Sequence, residues 1–467
     1  MSNRSNSAKR SQENTEPPQV LSQHAEALPP GGASRRRLLL GAAAAPVAVG
    51  AAATLRSAPT RASLQTNARI VVVGSGLAGL AVANRLVREL DGADITVVDR
   101  KEEHNYQPGY TLVGTGIWPV DKVIDRNADL MPEGVRWVRE MVAEYDPDHN
   151  ALITDSGKRI DYDYLVVATG CHLDYEQIEG MDPAAIGKKG LTSVYNGPKA
   201  VTETWKAMDT FRQRGGKAVM TLPATPIKCA GAPLKTTFML VDRLRQAGTF
   251  ERSQVEFHSA LGVVFGVPVI NQRILERWAD WNVPVHFSSK LVAVDIDAQR
   301  ATFESPEGER TVEDYDFIHV VPPMRAPDSL FHSPLAAQEG PMAAGGWLEV
   351  DRETLRHRRY GNVFGVGDIN GTPRGKTAAT VKQSVPKVVA NLIDVIAGRE
   401  PSMRFDGYTS CPMILREGSA WLIEFDYEGR LTPSLPMIEP LQDSWFAWLM
   451  KVQLLKPAYM AVAKGRV

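Results

Sequence analysis

The amino-acid sequence predicts an α/β protein made of two dinucleotide-binding-type units, closed by an apolar C-terminal segment. Three observations predict it. The apolar run Ile70-Val71-Val72-Val73 enters a Gly-x-Gly-x-x-Gly loop formed by Gly74, Ser75, Gly76 and Gly79; a second apolar strand runs from Ala218 to Leu222; a third, from Asn362 to Gly367, ends at Asp368. At 467 residues the chain exceeds what one core can hold, so two or three domains are expected. With 43% hydrophobic and 23% charged residues it is an ordinary globular protein, and 53 basic against 54 acidic residues leave no surplus for nucleic acid. The three cysteines, Cys171, Cys229 and Cys411, are too few and too far apart for a disulfide scaffold. No Cys-x-x-Cys pair or His cluster points to a structural metal, so none is expected.

Residues 1–62 read as a leader. A Ser-, Asn-, Gln-, Pro- and Gly-rich stretch is expected to be disordered, and Ser34-Arg35-Arg36-Arg37-Leu38-Leu39-Leu40 opens an Ala/Val/Leu run ending at Leu55. This pattern predicts a twin-arginine signal, with cleavage near Thr60-Arg61-Ala62 and a peripheral protein on the periplasmic face of the inner membrane. An N-terminal membrane anchor and an Arg-rich organelle transit peptide are the other readings of the segment.

The first unit begins with strand, glycine loop, a helical Ala/Leu/Val pattern to Leu90, and a second strand Ile95-Thr96-Val97-Val98 that ends at Asp99. The glycines allow a tight turn and close approach of backbone to a pyrophosphate at the helix N-terminus, and Asp99 is placed to bond a ribose hydroxyl. FAD is favoured over NAD by two further turns. Tyr164 to Val167 runs into Ala168-Thr169-Gly170, and the third strand ends in Gly367-Asp368; both recur in flavoproteins with two dinucleotide domains. The following helix is expected to start near Lys376-Thr377, where its positive end and Lys376 would stabilise negative charge on a reduced flavin. The strand Ala218–Leu222, by contrast, leads into Pro223-Ala224-Thr225-Pro226-Ile227-Lys228-Cys229. Two prolines and an isoleucine cannot wrap a second pyrophosphate, so a nicotinamide reductant is not expected.

From Ile70 onward the chain resembles the sulfide:quinone oxidoreductases, and most closely the subgroup that includes the mitochondrial enzymes. The resemblance rests on Tyr106 to Gly114, Leu173 to Glu176, Pro226 to Pro233 around Cys229, His319 to Met324, and Gly407-Tyr408-Thr409-Ser410-Cys411-Pro412. It implies that Gly76, Asp99, Gln107, Val142, Asp368 and Lys376 contact FAD, and that Cys229 and Cys411 form a redox-active disulfide. Sulfide would open that disulfide, leaving a persulfide on Cys229, with the order of attack open. Electrons would pass through FAD to a membrane quinone, and the sulfur to a small sulfane-sulfur acceptor. Lys228 and Lys235 would favour thiolates. Position 235 departs from other subgroups, which carry a carboxylate there. Tyr195 stands where some bacterial relatives have a further cysteine, and Cys171 reads as a turn residue.

The resemblance also implies the domain plan: an FAD-binding domain at 63–190 and 330–400, a second Rossmann-like domain at 191–330 carrying Cys229, and a closing segment at 401–467 carrying Cys411. In that segment Trp445, Trp448, Leu449, Val452 and Leu455 follow helical spacing, with a break at Pro457 and Tyr459 beyond it. The pattern is too short and too rich in lysine to span a bilayer, and predicts interfacial docking on a membrane surface. Tyr408 and Phe364 are candidate walls for the quinone. The alternative function is the flavoprotein subunit of a flavocytochrome c-type sulfide dehydrogenase, which hands its electrons to a haem partner.

Overall fold

In the computed structural model, residues 63–467 are described; the leader with its arginine cluster and cleavage site lies outside the described residues. Apolar runs buried on both faces favour parallel sheets covered by helices, and two such sheets form. The first has the order Val363–Gly365, Tyr164–Val167, Arg69–Val73, Asp94–Val98, Arg136–Val138, with every pairing parallel. The second has the order Leu191–Thr192, Phe317–His319, Gly216–Leu222, Ser253–Ser259, Val285–His286, again parallel throughout. Antiparallel three-stranded sheets, Val142–Asp146 with its partners and Lys290–Asp295 with its partners, are appended to these units.

Helix Leu77–Glu89 leaves the first sheet at the glycine loop and packs against Ala378–Ile396 and against the terminal helix Leu455–Ala463. Helix Ala232–Gln246, which follows the Cys229 loop, packs on the strand Thr409–Arg416 that carries Cys411. This pairing brings the two distant cysteine segments face to face.

The C-terminal helix does not break at Pro457. It runs as α-helix Trp445–Leu449, a π-helical turn Met450–Leu454, and α-helix Leu455–Ala463. Proline lacks the N–H of the usual i→i−4 bond and its ring clashes with the carbonyl four residues back; the wider turn just before it removes both conflicts, so the helix continues. The extra residue also re-phases the faces. Trp448, Val452 and Tyr459 turn inward, while Trp445 and Leu454 are 63% and 52% exposed and Phe446 is exposed beside them. Among the described residues no helix is long and apolar enough to cross a membrane. Phe364 lies in the interior of the first sheet with no exposed surface, so it is a core residue rather than a quinone wall.

Candidate active site

The glycine loop is shaped by close approach. Gly74 has φ +107°, and a Cβ on Gly79 would overlap the Gly74 carbonyl, whereas a Cβ on Gly76 would meet nothing within 4 Å. Gly76 therefore faces the open side of the cradle. Asp99 serves this loop directly: its Oδ2 accepts from Ser75 N at 2.7 Å and from Ser75 Oγ at 2.9 Å, and its Oδ1 accepts from Lys101 N at 2.9 Å. Thr169 Oγ1, on the loop beside Gly74, and Asn370 Oδ1 are buried without a protein partner. A parallel sheet, an open glycine face and two buried polar atoms awaiting partners fit a dinucleotide such as FAD. A carboxylate also has lone pairs to spare for a ribose.

Lys376 closes the other side. It is buried, its Nζ donates to Asp368 O at 2.6 Å and Asn370 O at 3.0 Å, and it lies 3.5 Å from the Trp347 ring centroid. Burial pulls its pKa down to about 8, partly opposed by Asp368. Burial likewise raises the carboxyl of Asp368. Helix Ala378–Ile396 follows, with Thr377 as its N-cap accepting from Thr380 N at 3.2 Å.

Cys229 is fixed to this turn. Its N–H donates to Lys376 O at 2.8 Å and Tyr195 Oη donates to its carbonyl at 3.4 Å. Its φ of 51° is unusual for a residue with a Cβ and is the kind of held strain found at functional sites. Lys235 Nζ donates to Cys229 Sγ at 3.3 Å. Cys411, on its strand opposite, is 5% exposed, and its sulfur packs directly against Gly231. A hydrogen bond between the two thiols, with the charges of Lys235 and Lys451, holds Cys229 well below the usual thiol range despite its burial. The same bond, together with burial, pushes Cys411 well up. Of the two, Cys229, with Lys235 on its sulfur, is the one favoured as thiolate. Burial opposes the charge on Lys235, but the two sulfurs raise its pKa and keep it an ammonium.

Lys451 escaped the sequence reading, which took it as punctuation in a docking helix. It is 2% exposed, its Nζ donates to Pro108 O at 2.6 Å, and burial with the charge of Lys235 lowers it to about 7. A signal existed: Trp448, Lys451, Leu455 and Tyr459 share one helical face, and a lysine on a buried face needs a reason. A second feature of the tail also went unseen. Tyr459 Oη bonds His104 Nε2 at 2.9 Å, His104 Nδ1 bonds Asn127 Oδ1 at 2.8 Å, and Asn127 Nδ2 donates to Ser75 Oγ at 2.7 Å. Burial lowers the His104 pKa, so the ring is neutral and every donor in the line points toward Asp99.

Gly74, Ser75, Gly76 and Gly79 thus share one turn with Asp99 bonded to it, while Asp368, Lys376 and Cys229 are joined by hydrogen bonds and Cys411 faces Cys229 from its own strand. Gln107 is exposed in the short turn Gln107–Gly109, next to the carbonyl that holds Lys451. Val142 is buried at the start of an outlying antiparallel strand. Cys171 borders the same site: half-buried, its thiol lies 3.8 Å from Met324 Sδ, which also accepts from Lys228 N at 3.3 Å, and burial raises its pKa against the charges of Lys228 and Lys376.

The pyridine nucleotide-disulphide oxidoreductase family pattern matches residues 68–207. A mitochondrial sulfide:quinone oxidoreductase of Mus musculus is 36% identical over 392 residues, covering 84% of this chain and 85% of the relative. One from Dictyostelium discoideum is 36% identical over 423 residues, covering 90% and 91%. The solved structure of the Aquifex aeolicus sulfide:quinone oxidoreductase shares the fold, with a TM-score of 0.69 at 20% identity over 85% of this chain and 92% of that one. These relatives correct one expectation. Proteins at this identity are mitochondrial, which points away from twin-arginine export to a periplasmic face, and an Arg- and Ala-rich leader does not by itself separate the two kinds of address. None of these relatives is a flavocytochrome subunit, and with extensive identity over nearly its whole described length, the chain belongs to the sulfide:quinone oxidoreductase family.

Proposed function

We propose that this FAD-dependent sulfide:quinone oxidoreductase oxidises sulfide at Cys229 and Cys411, next to a cofactor cradled by Gly74, Ser75, Gly76, Gly79, Asp99, Asp368 and Lys376. One observation carries the reading: the backbone of Cys229 hangs from the Lys376 carbonyl while its sulfur faces Lys235 and Cys411. With the cysteines joined as a disulfide, HS⁻ attacks Cys411 Sγ. A new S–S bond forms, the Cys229–Cys411 bond breaks, and its electron pair departs on Cys229. Lys235, whose Nζ lies 3.3 Å from Cys229 Sγ, balances the charge that Cys229 acquires and makes it the better leaving group. The persulfide therefore stays on Cys411, the reverse of the allotment implied by resemblance.

Transfer of the outer sulfur to a small sulfane-sulfur acceptor returns Cys411 as a thiol. Re-forming the disulfide then releases two electrons and the thiol proton, and FAD when bound supplies the acceptor that relays the electrons to quinone. The exposed row Trp445, Phe446 and Leu454 supports peripheral docking on a membrane, from which a quinone would reach the site. Tyr408, half-buried and hydrogen-bonded to Glu424, stays a candidate for the quinone wall.

The test is anaerobic titration of the purified yellow protein with sulfide, then with a short-chain quinone. Sulfide should bleach the flavin and quinone restore it. Cys229→Ser and Cys411→Ser should abolish bleaching, and Cys171→Ser should leave it largely intact; equal damage from Cys171→Ser overturns the assignment. Mass spectrometry of peptides alkylated after one equivalent of sulfide, with no sulfur acceptor added, should find the added sulfur on Cys411, and finding it on Cys229 overturns the order of attack.

A further inference from the structure

On the second sheet, away from the thiol pair in sequence, the fold assembles three side chains that no local motif announces. Glu256 and His258 are two residues apart on Ser253–Ser259 and so point to one face. His286 lies on the edge strand Val285–His286, directly paired with His258. Glu256 Oε2 is 3.6 Å from His258 Nε2 and 3.3 Å from His286 Nε2, and the two imidazoles stack with centroids 4.4 Å apart. All three donor atoms lie within 4.8 Å of one another.

A second observation gives this cluster a ligand. His258 is 3% exposed, yet its Nε2 has no hydrogen-bond partner. Its other nitrogen, Nδ1, is 2.9 Å from Ser289 Oγ; when that hydroxyl accepts the Nδ1 proton, Nε2 is left as a bare lone pair aimed at Glu256 Oε2. A simple ion pair between His286 and Glu256 would leave that lone pair buried and unused.

We propose that Glu256, His258 and His286 form a three-ligand site for a zinc-class divalent cation. Bonds of ~2.0–2.2 Å in a tetrahedral site separate neighbouring donor atoms by ~3.3–3.5 Å; the carboxylate–imidazole spacings of 3.6 and 3.3 Å approach this, and the stacked rings, 18° from parallel, need a turn of the half-exposed His286 to converge on one ion. Two imidazoles and a carboxylate suit zinc and leave the fourth position open, on the side where His286 is 45% exposed. The outer contacts are those a metal site requires. Ser289 orients His258, while Gln254 and Lys217 hold the other carboxylate oxygen, Oε1. The charge of Lys217 is shared with Glu313 at 2.5 Å, which limits its repulsion of a cation. The ion would clip a two-residue edge strand to the sheet interior.

The test uses full-length, FAD-loaded protein in a Cys229→Ser/Cys411→Ser background, so that no active-site thiol can bind metal. After chelator treatment, calorimetric titration with ZnCl₂ should give one saturable equivalent and a rise in melting temperature. His286→Asn changes the half-exposed ligand, and an unchanged flavin spectrum certifies its fold. It should weaken binding by more than the ~10–100-fold typical of outer-shell changes and abolish the melting shift. Zinc binding of equal affinity in His286→Asn, or no one-equivalent binding in the parent, overturns the proposal.

Discussion

Replacing Gly231 with alanine should separate the two catalytic sulfurs without touching either. Gly231 caps helix Ala232–Gln246 with φ −84° and ψ −4°, so alanine suits the backbone. The difficulty is the added methyl. It would fall inside 3.0 Å of Cys411 Sγ, with Met413 Cε at 3.2 Å and Lys235 Cε at 3.3 Å closing the neighbouring directions. Ordinary carbon contacts need ~3.5–4.0 Å, so the sulfur must retreat by roughly 1 Å or more. Cys411 is pinned in a strand paired with Ile423, so its side chain can yield only by rotating about Cα–Cβ, which swings Sγ off Cys229. A disulfide requires the sulfurs at ~2.05 Å, and a misplacement of ~1 Å costs on the order of 10²-fold in rate. Anaerobic stopped-flow should therefore find sulfide-dependent bleaching slowed by at least about 100-fold. Flavin content and reduction by dithionite should match the parent. A parental rate of bleaching by sulfide would refute the assignment of the pair.

Lys451→Met tests the buried amine through stability. A lysine held down to about 7 binds fewer protons folded than unfolded between that value and its ordinary 10.5, so the parent gains stability as pH rises across this window. The variant lacks that dependence, and its melting temperature relative to the parent should fall steadily from neutral to alkaline pH; a constant difference would contradict the burial of a titrating amine. Asp99→Ala strands three donors that now reach its carboxylate, bonds worth about 1.5–3 kcal/mol each. It should purify with substoichiometric flavin, measured by absorbance after heat release, and full loading would argue against its role in the cradle. Trp445→Glu/Leu454→Glu removes two exposed apolar anchors of about 1.5–3 kcal/mol each. Co-sedimentation with lipid vesicles should drop by on the order of 10²-fold while turnover with a water-soluble quinone persists, and unchanged sedimentation would dismiss this face as the docking surface.

The first strand, its glycine loop and Asp99 were legible because they are local: apolar run, turn and acid follow one another within one βαβ unit. The role of Asp99 was legible only in outline. Its spacing suggested a ribose, whereas the fold spends much of it on Ser75 and Lys101. Cys229 stood out because prolines replace a second glycine loop, and its pairing with Cys411 was implied by the resemblance, whereas the packing of Ala232–Gln246 on Thr409–Arg416 that brings the two segments together is a tertiary feature. Lys451 was missed because it counted only as a charge against spanning a membrane, although helical spacing sets it on one face with the buried Trp448 and Tyr459. The line from Tyr459 to Ser75 and the cluster at His258 and His286 join residues with no periodic relation, and only tertiary structure could reveal them.

The bonds that run from Tyr459 through His104 and Asn127 to Ser75 tie the last helix to the nucleotide cradle. Thermodynamic coupling is reciprocal, so whatever firmness a bound cofactor lends the loop is returned to the last helix, and in equal measure. The last helix, far from the cradle in sequence, thus shares in the order of the loop that it braces.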